Sequence, residues 1–288
     1  MIPSRTSHSS SIGPGVVPRG ADPAYDEEVK REYDLRKNIP HLGKGSKGRP
    51  FSIDPNVGVM TRTQTPYVTG TSVLAVKYKD GVLMACDTLA CYGSTKRYKS
   101  IQRMKLVGKY TVVGFTGELS DFDYISTLLD ELEMTDFCQD DECPRTPKEI
   151  YNYLVRVMYN RRNKFDPLWN SLVISGWDYV EKKPFLGCVG MIGQHYVDDH
   201  VATGFGNHLA RPLFRESWKE EMTEQEAEKL LKSALLSCVM RDKQMMNKFQ
   251  LSKITADGPG EISEPFAIDT RWGYENYVNP TKYAPGAW

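Results

Sequence analysis

The sequence predicts an α+β layered sandwich, on three observations. Runs rich in β-branched residues come in groups. Helical segments come in pairs between those groups, without the alternation of single strands and helices that marks a βαβ fold. No repeat of solenoid length runs along the chain. The resulting order is strands, two helices, strands, two helices, strand.

The first group begins at Thr69. Thr69–Tyr78 is β-branched and opens on a turn signal, and Lys79-Asp80-Gly81 leads into Val82–Cys86. Two strand-like runs about an Asp-Gly pair predict a β-hairpin. Tyr110–Gly117 predicts a third strand. The first helix spans Ser120 to about Phe137, with Phe122, Ile125, Leu128, Leu129 and Leu132 at helical spacing. Thr146-Pro147-Lys148-Glu149 combines a capping box with proline at the first helical position, ahead of Ile150–Met158. Strands are predicted over Ser171–Trp177 and Phe185–Ile192. Thr203–Gly206 then opens a segment with Leu209, Leu213, Phe214 and Trp218 in helical register. A second capping box, Thr223 to Glu226, launches a helix through Leu230, Leu231, Leu235 and Val239, and Phe249–Thr255 is a late strand.

Both ends differ from this body. Residues 1–62 hold the run Ser7–Ser11, prolines that include Pro14, Pro18, Pro23, Pro40, Pro50 and Pro55, and little apolar periodicity. They read as an extended or disordered leader, with a short helix over Asp26–Lys37. The chain thus divides into a leader (1–62), a folded domain (63–264) and a tail (265–288). The tail carries Trp272, Tyr274, Tyr277, Tyr283 and Trp288. Aromatic side chains beyond the last core element are typical interface anchors.

Composition excludes several classes. The chain has 37 basic and 37 acidic residues, a formal net charge of +0, so no basic field exists to hold a nucleic acid. No apolar run is long enough to span a membrane, and Met1–Arg19 lacks the apolar core of a secretory signal. Six cysteines without a C-x-x-C pair point to a reduced compartment, cytoplasm or nucleus. Neither a metal nor a cofactor is expected. Cys138 and Cys143 have no nearby histidine, and His195 and His200 lie five apart, off any shared helix face. Asp140-Asp141-Glu142 lacks the calcium-loop pattern. The basic run Arg161–Lys164 complements a helix C-terminus.

Gly70-Thr71-Ser72-Val73-Leu74-Ala75, then Gly81–Leu89, Thr116–Asp121 and Ala202–Gly206, resemble the proteasome β-type subunits. The likeness covers roughly Thr63 to Asp257. Tyr92-Gly93-Ser94, Met158–Lys164, Pro167–Asn170 and Thr63–Pro66 narrow it to one member of that family, a non-catalytic one. The resemblance implies a four-layer αββα sandwich of the N-terminal-nucleophile hydrolase type. It implies a place among other α and β subunits in stacked seven-membered rings that degrade ubiquitin-tagged proteins. It also implies a leader cut between Arg62 and Thr63 by an active neighbour, and a tail that reaches the opposite β ring.

Active members of that family use a threonine hydroxyl as nucleophile and its own α-amine as base. An amine with pKa of about 8 serves near neutral pH with little tuning. Thr71, Asp87 and Asp242 match their pattern. Arg103 stands where they carry lysine, Phe205 and Met245 where they carry serines, Met246 where they carry glycine and Leu89 where they carry arginine. An always-protonated planar fork does not replace a compact ammonium, and losing one polarising group commonly lowers the rate about 10²–10³-fold. Three losses in one cooperative unit predict an inactive site, with Thr71 an ordinary strand threonine still joined to Gly70, and Asp87 and Asp242 structural acceptors. The alternative is an active threonine endopeptidase with Thr71 as nucleophile.

Overall fold

The computed structural model describes residues 65–139, 143–256, 258–270, 272–273, 281 and 285–286. The leader with its expected helix and cut site, the Asp140–Glu142 loop, and Tyr274, Tyr277, Tyr283 and Trp288 lie outside the described residues.

Thirteen strands and five helices occur among the described residues. They are β1 (Val68–Gly70), β2 (Val73–Tyr78), β3 (Gly81–Asp87), β4 (Ala90–Tyr92), β5 (Thr95–Tyr98), β6 (Met104–Val107) and β7 (Thr111–Glu118), then α1 (Leu119–Gln139) and α2 (Pro147–Asn163). Next come β8 (Asn170–Asp178), β9 (Lys183–Val189), β10 (His195–Val197) and β11 (His200–Ala202), then α3 (Gly206–Leu209), α4 (Arg211–Ser217) and α5 (Glu224–Arg241), and finally β12 (Phe249–Thr255) and β13 (Glu261–Ile262).

The strands form two sheets. One runs β10-β9-β8-β7-β1-β4-β5, with β6 also on β7; the other runs β11-β2-β3-β12-β13. The sheets stack face to face, and each carries helices on its outer face. Side-chain alternation builds these four layers. Along β2, Val73 and Ala75 enter the core between the sheets, while Leu74, Val76 and Tyr78 join the core under α4 and α5. Along β3, Val82, Met84 and Cys86 face the other sheet, and Leu83 and Ala85 face the helices. In the larger sheet Val112, Val173 and Leu186 point inward. Val113, Phe115, Leu172 and Ile174 meet Phe122, Ile125 and Leu129 of α1 and Ile150, Leu154 and Met158 of α2. Strands buried on both faces explain the near-continuous apolar runs of β2 and β3.

Both capping boxes form. Thr146 Oγ1 accepts from the Glu149 N–H at 3.3 Å while the Glu149 carboxylate accepts from the Thr146 N–H at 2.7 Å. Thr223 and Glu226 repeat the exchange at 3.4 and 2.9 Å. Three sequence expectations are revised. The strand expected to Ile192 ends at Val189, because Gly190–Gln194 closes a turn in which the Gly190 N–H donates to the Gln194 carbonyl at 2.7 Å. The helical segment from Leu209 to Trp218 is two helices, α3 and α4, and Trp218 lies beyond them in extended conformation. There its indole N–H donates to the Lys77 carbonyl at 2.9 Å. The tail does not leave the body at 265: Phe266 bridges Phe249, Phe266 and Ile268 pack on the α5-side core, and the Ile268 N–H donates to Asn247 Oδ1 at 2.9 Å.

Candidate functional site

Thr71 lies at the junction of β1 and β2. The strand that leads into it is an interior one. In β1, Val68 and Thr69 pair with Tyr92 and Cys91 of β4, and Thr69 and Gly70 pair with Glu118 and Gly117 of β7. Glu118 extends the anchoring, since its carboxylate accepts from the backbone N–H of Tyr67 at 2.5 Å and of Val68 at 3.1 Å. Gly117 adopts φ +111°, and an added Cβ there would lie 2.0 Å from the Trp169 carbonyl oxygen, so this turn in β7 demands glycine. On the other side, Ser72 Oγ accepts from the Gly206 N–H at 2.7 Å and Thr203 Oγ1 accepts from the Val73 N–H at 2.9 Å.

Four of the residues singled out in the sequence converge. Asp87 ends β3, Arg103 precedes β6, and Asp242 caps the C-terminus of α5. Thr71 Oγ1 donates to Asp242 Oδ2 at 2.5 Å. Arg103 is fully buried. One of its terminal nitrogens donates to the Asp87 carboxylate; the other donates to the Thr71 main-chain carbonyl and, at 2.9 Å, to the Phe115 carbonyl. One guanidinium therefore ties β3, the β1–β2 junction and β7 together. Its Nε has no partner among the described residues and faces Gly70, where an added Cβ would sit 2.3 Å from Nε and 2.8 Å from Cζ.

Burial pushes the Asp87 carboxyl up to about 6, against the opposing pull of Arg103 and of the Met246 N–H, which donates to Asp87 Oδ2 at 3.3 Å. At neutral pH Asp87 remains ionised and paired. Arg has five donors and no acceptor and does not deprotonate in proteins. The cluster therefore holds a fixed cation beside two carboxylates.

The remaining singled-out residues divide. Met245 is buried in the α5-side core, and its carbonyl accepts from Lys96 Nζ at 2.7 Å. Leu89 is buried. Phe205 does not enter the cluster. It is 52% exposed and its ring meets His208. Trp272 is 58% exposed. His195 opens β10 and His200 opens β11, in different sheets. Arg161 is engaged by Asp166 at 3.2 Å and lies over the Tyr124 ring. The single strand expected over Thr69–Tyr78 is divided at Thr71–Ser72 into β1 and β2, which enter different sheets, so Thr71 is a junction residue and not a strand residue; Glu118 as the anchor of β1 was missed.

A family model described as Proteasome subunit matches residues 67–254. Proteasome subunit beta type-4 of Arabidopsis thaliana is 51% identical over 227 residues, 79% of this chain and 91% of that protein. The protein of the same name from Dictyostelium discoideum is 44% identical over 219 residues, 75% of this chain and 83% of that protein. That of Xenopus laevis is 37% identical over 240 residues, 83% of this chain and 98% of that protein.

Proposed function

Because this chain belongs to the proteasome subunit family, we propose that it serves as a non-catalytic β subunit of the core particle, closing the β ring and supporting ubiquitin-dependent protein degradation. The observation that carries the inactive reading is the Arg103 guanidinium, buried and committed to the Thr71 carbonyl, the Asp87 carboxylate and the Phe115 carbonyl. A threonine nucleophile needs a base, and a compact, titratable ammonium is absent from this position. Strand β1 gives a second support. It fills the ladder between β4 and β7 beside Thr71, where a peptide placed for cleavage would add as a strand. Freeing the Thr71 amine would strip that interior strand away and leave two edges unpaired.

In this reading the leader is removed between Arg62 and Thr63, which leaves β1 in place. The chain works in cytoplasm and nucleus, in keeping with six cysteines that form no disulfide among the described residues. The tail beyond 271 reaches the opposite β ring, with the exposed Trp272 indole as its first anchor.

The test is affinity purification through a tagged full-length chain, followed by mass spectrometry and treatment with a threonine-directed covalent inhibitor. The expected result is co-purification of α and β subunits, a mature N-terminus at Thr63 and no label on Thr71. A mature N-terminus at Thr71, or inhibitor attached there, overturns the inactive reading. Truncation of 271–288 is expected to weaken the joining of half-particles, and unchanged joining rejects the tail's role.

A further inference from the structure

Edge strand β10, the turn Gly190–Gln194 and helices α3 and α4 enclose a cavity of about 480 Å³, whose lining also includes Thr203 and Gly204 beside the β1–β2 junction. Pockets that enclose a ligand commonly measure roughly 300–1,000 Å³. The charged side chains on its lining are Arg211 and Arg215, with His208 beside them, and no carboxylate lines it. The two other titratable lining groups stay neutral near neutral pH, because burial raises both the Cys188 thiol and the Tyr196 phenol, the latter to about 12.

The polar groups here are incompletely used. Arg211 donates to the Tyr196 hydroxyl at 3.3 Å and stands 3.8 Å from the half-exposed Asp198 carboxylate, yet its Nε is buried without a partner among the described residues. Asn207 Oδ1 is likewise buried and unpartnered among the described residues. Arg215 is exposed and has no ion pair among the described residues. Buried polar atoms left unpaired cost about 1–3 kcal/mol each, and such a deficit is relieved by a ligand that brings the missing partners.

We propose that this cavity receives an extended, carboxylate-bearing peptide segment of another polypeptide. The carboxylate, from an acidic side chain or a chain terminus, is held by Arg211 and Arg215, whose planar forks match it. A peptide N–H satisfies Asn207 Oδ1. That second requirement separates a peptide from a free phosphate, which brings acceptors but no backbone donor. The inference rests on the ring-subunit reading only for the source of the segment, a neighbouring subunit.

Binding is measured by fluorescence anisotropy of rhodamine-labelled hexaglutamate on the purified full-length chain, with hexaglutamine and inorganic phosphate as comparisons. Hexaglutamate is expected to bind, R215E to weaken it at least about tenfold, and millimolar phosphate not to displace it. Arg215 is exposed, so R215E leaves the fold intact. Equal binding of hexaglutamine, indifference to R215E, or displacement by phosphate overturns the proposal. In the assembled complex, His208→p-benzoylphenylalanine is expected to crosslink to a segment of another chain that carries Asp, Glu or a terminus. Crosslinks confined to this chain, or to a segment without a carboxylate, reject it. A chain that binds hexaglutamate yet enters no particle overturns the ring-subunit reading and leaves the peptide site standing.

Discussion

The Arg103 guanidinium donates to the main-chain carbonyl of Thr71, 32 positions earlier in the chain. The same side chain is fully buried and pairs with Asp87, also fully buried. A buried ion pair is weak grounds for net stability, but removing one partner strands the other and costs about 3–5 kcal/mol. Arg103 is thus a structural cross-link between β3, the β1–β2 junction and β7.

Replacing Arg103 by lysine retains the charge and loses the fork. One ammonium does not span the Asp87 carboxylate and the two carbonyls that Arg103 now serves. R103K is expected to lower the unfolding free energy by about 3 kcal/mol, read from urea denaturation of the full-length chain. It is also expected to leave Thr71 unlabelled by a threonine-directed inhibitor, since Phe205 and Met245 still lack hydroxyls. A lysine variant as stable as the wild type would refute the cross-link.

Gly70→Ala places a methyl against Arg103 Nε at 2.3 Å. The neighbours are a fully buried guanidinium and an interior strand, so neither yields freely. Overpacking of this kind costs about 1–3 kcal/mol. An urea midpoint for G70A within error of the wild type would show that the site relaxes and that this glycine is dispensable.

The raised pKa of Asp87 makes a pH prediction. Its value moves from 3.8 to about 6, so the folded chain binds this proton more tightly than the unfolded chain. The associated stability is complete below pH 3.8 and is lost as pH rises through about 6. Asp87→Asn does not titrate, so the stability of wild type relative to D87N should fall as pH rises across that window, by up to about 3 kcal/mol. Parallel stability curves for the two proteins would contradict it.

The two capping boxes offer a control remote from the site. Thr146→Ala and Thr223→Ala each remove a side-chain acceptor at a helix N-terminus and should each cost about 1 kcal/mol. Helix α2 packs on one sheet and α5 on the other, so the double variant should show the sum of the two losses. A marked departure from additivity in thermal or urea unfolding would mean that the outer layers are coupled.

Much of the fold was legible because its longer elements carry their own signals. Alternation across β2 and β3, helical spacing through Phe122, Ile125 and Leu129, and two capping boxes each lie within a few consecutive residues. Strand Phe249–Thr255 has the bounds its sequence predicts. At the site, the family resemblance, not any local pattern, grouped Thr71, Asp87, Arg103 and Asp242, which the fold brings together. Strands of two to four residues, such as β1, β4, β5, β10, β11 and β13, were not legible. Three residues show hardly more than one period of alternation, and their partners lie far away in sequence.

Local chemistry, written in consecutive side chains, determined the α+β class and the main helices and strands. Tertiary structure alone decided that Arg103 is wholly buried, that Phe205 turns outward, and that Val68–Gly70 is an interior strand sealing the approach to Thr71. These outcomes depend on which distant backbones come together. Desolvation and ladder hydrogen bonds arise only at that moment, and no short window of sequence records them.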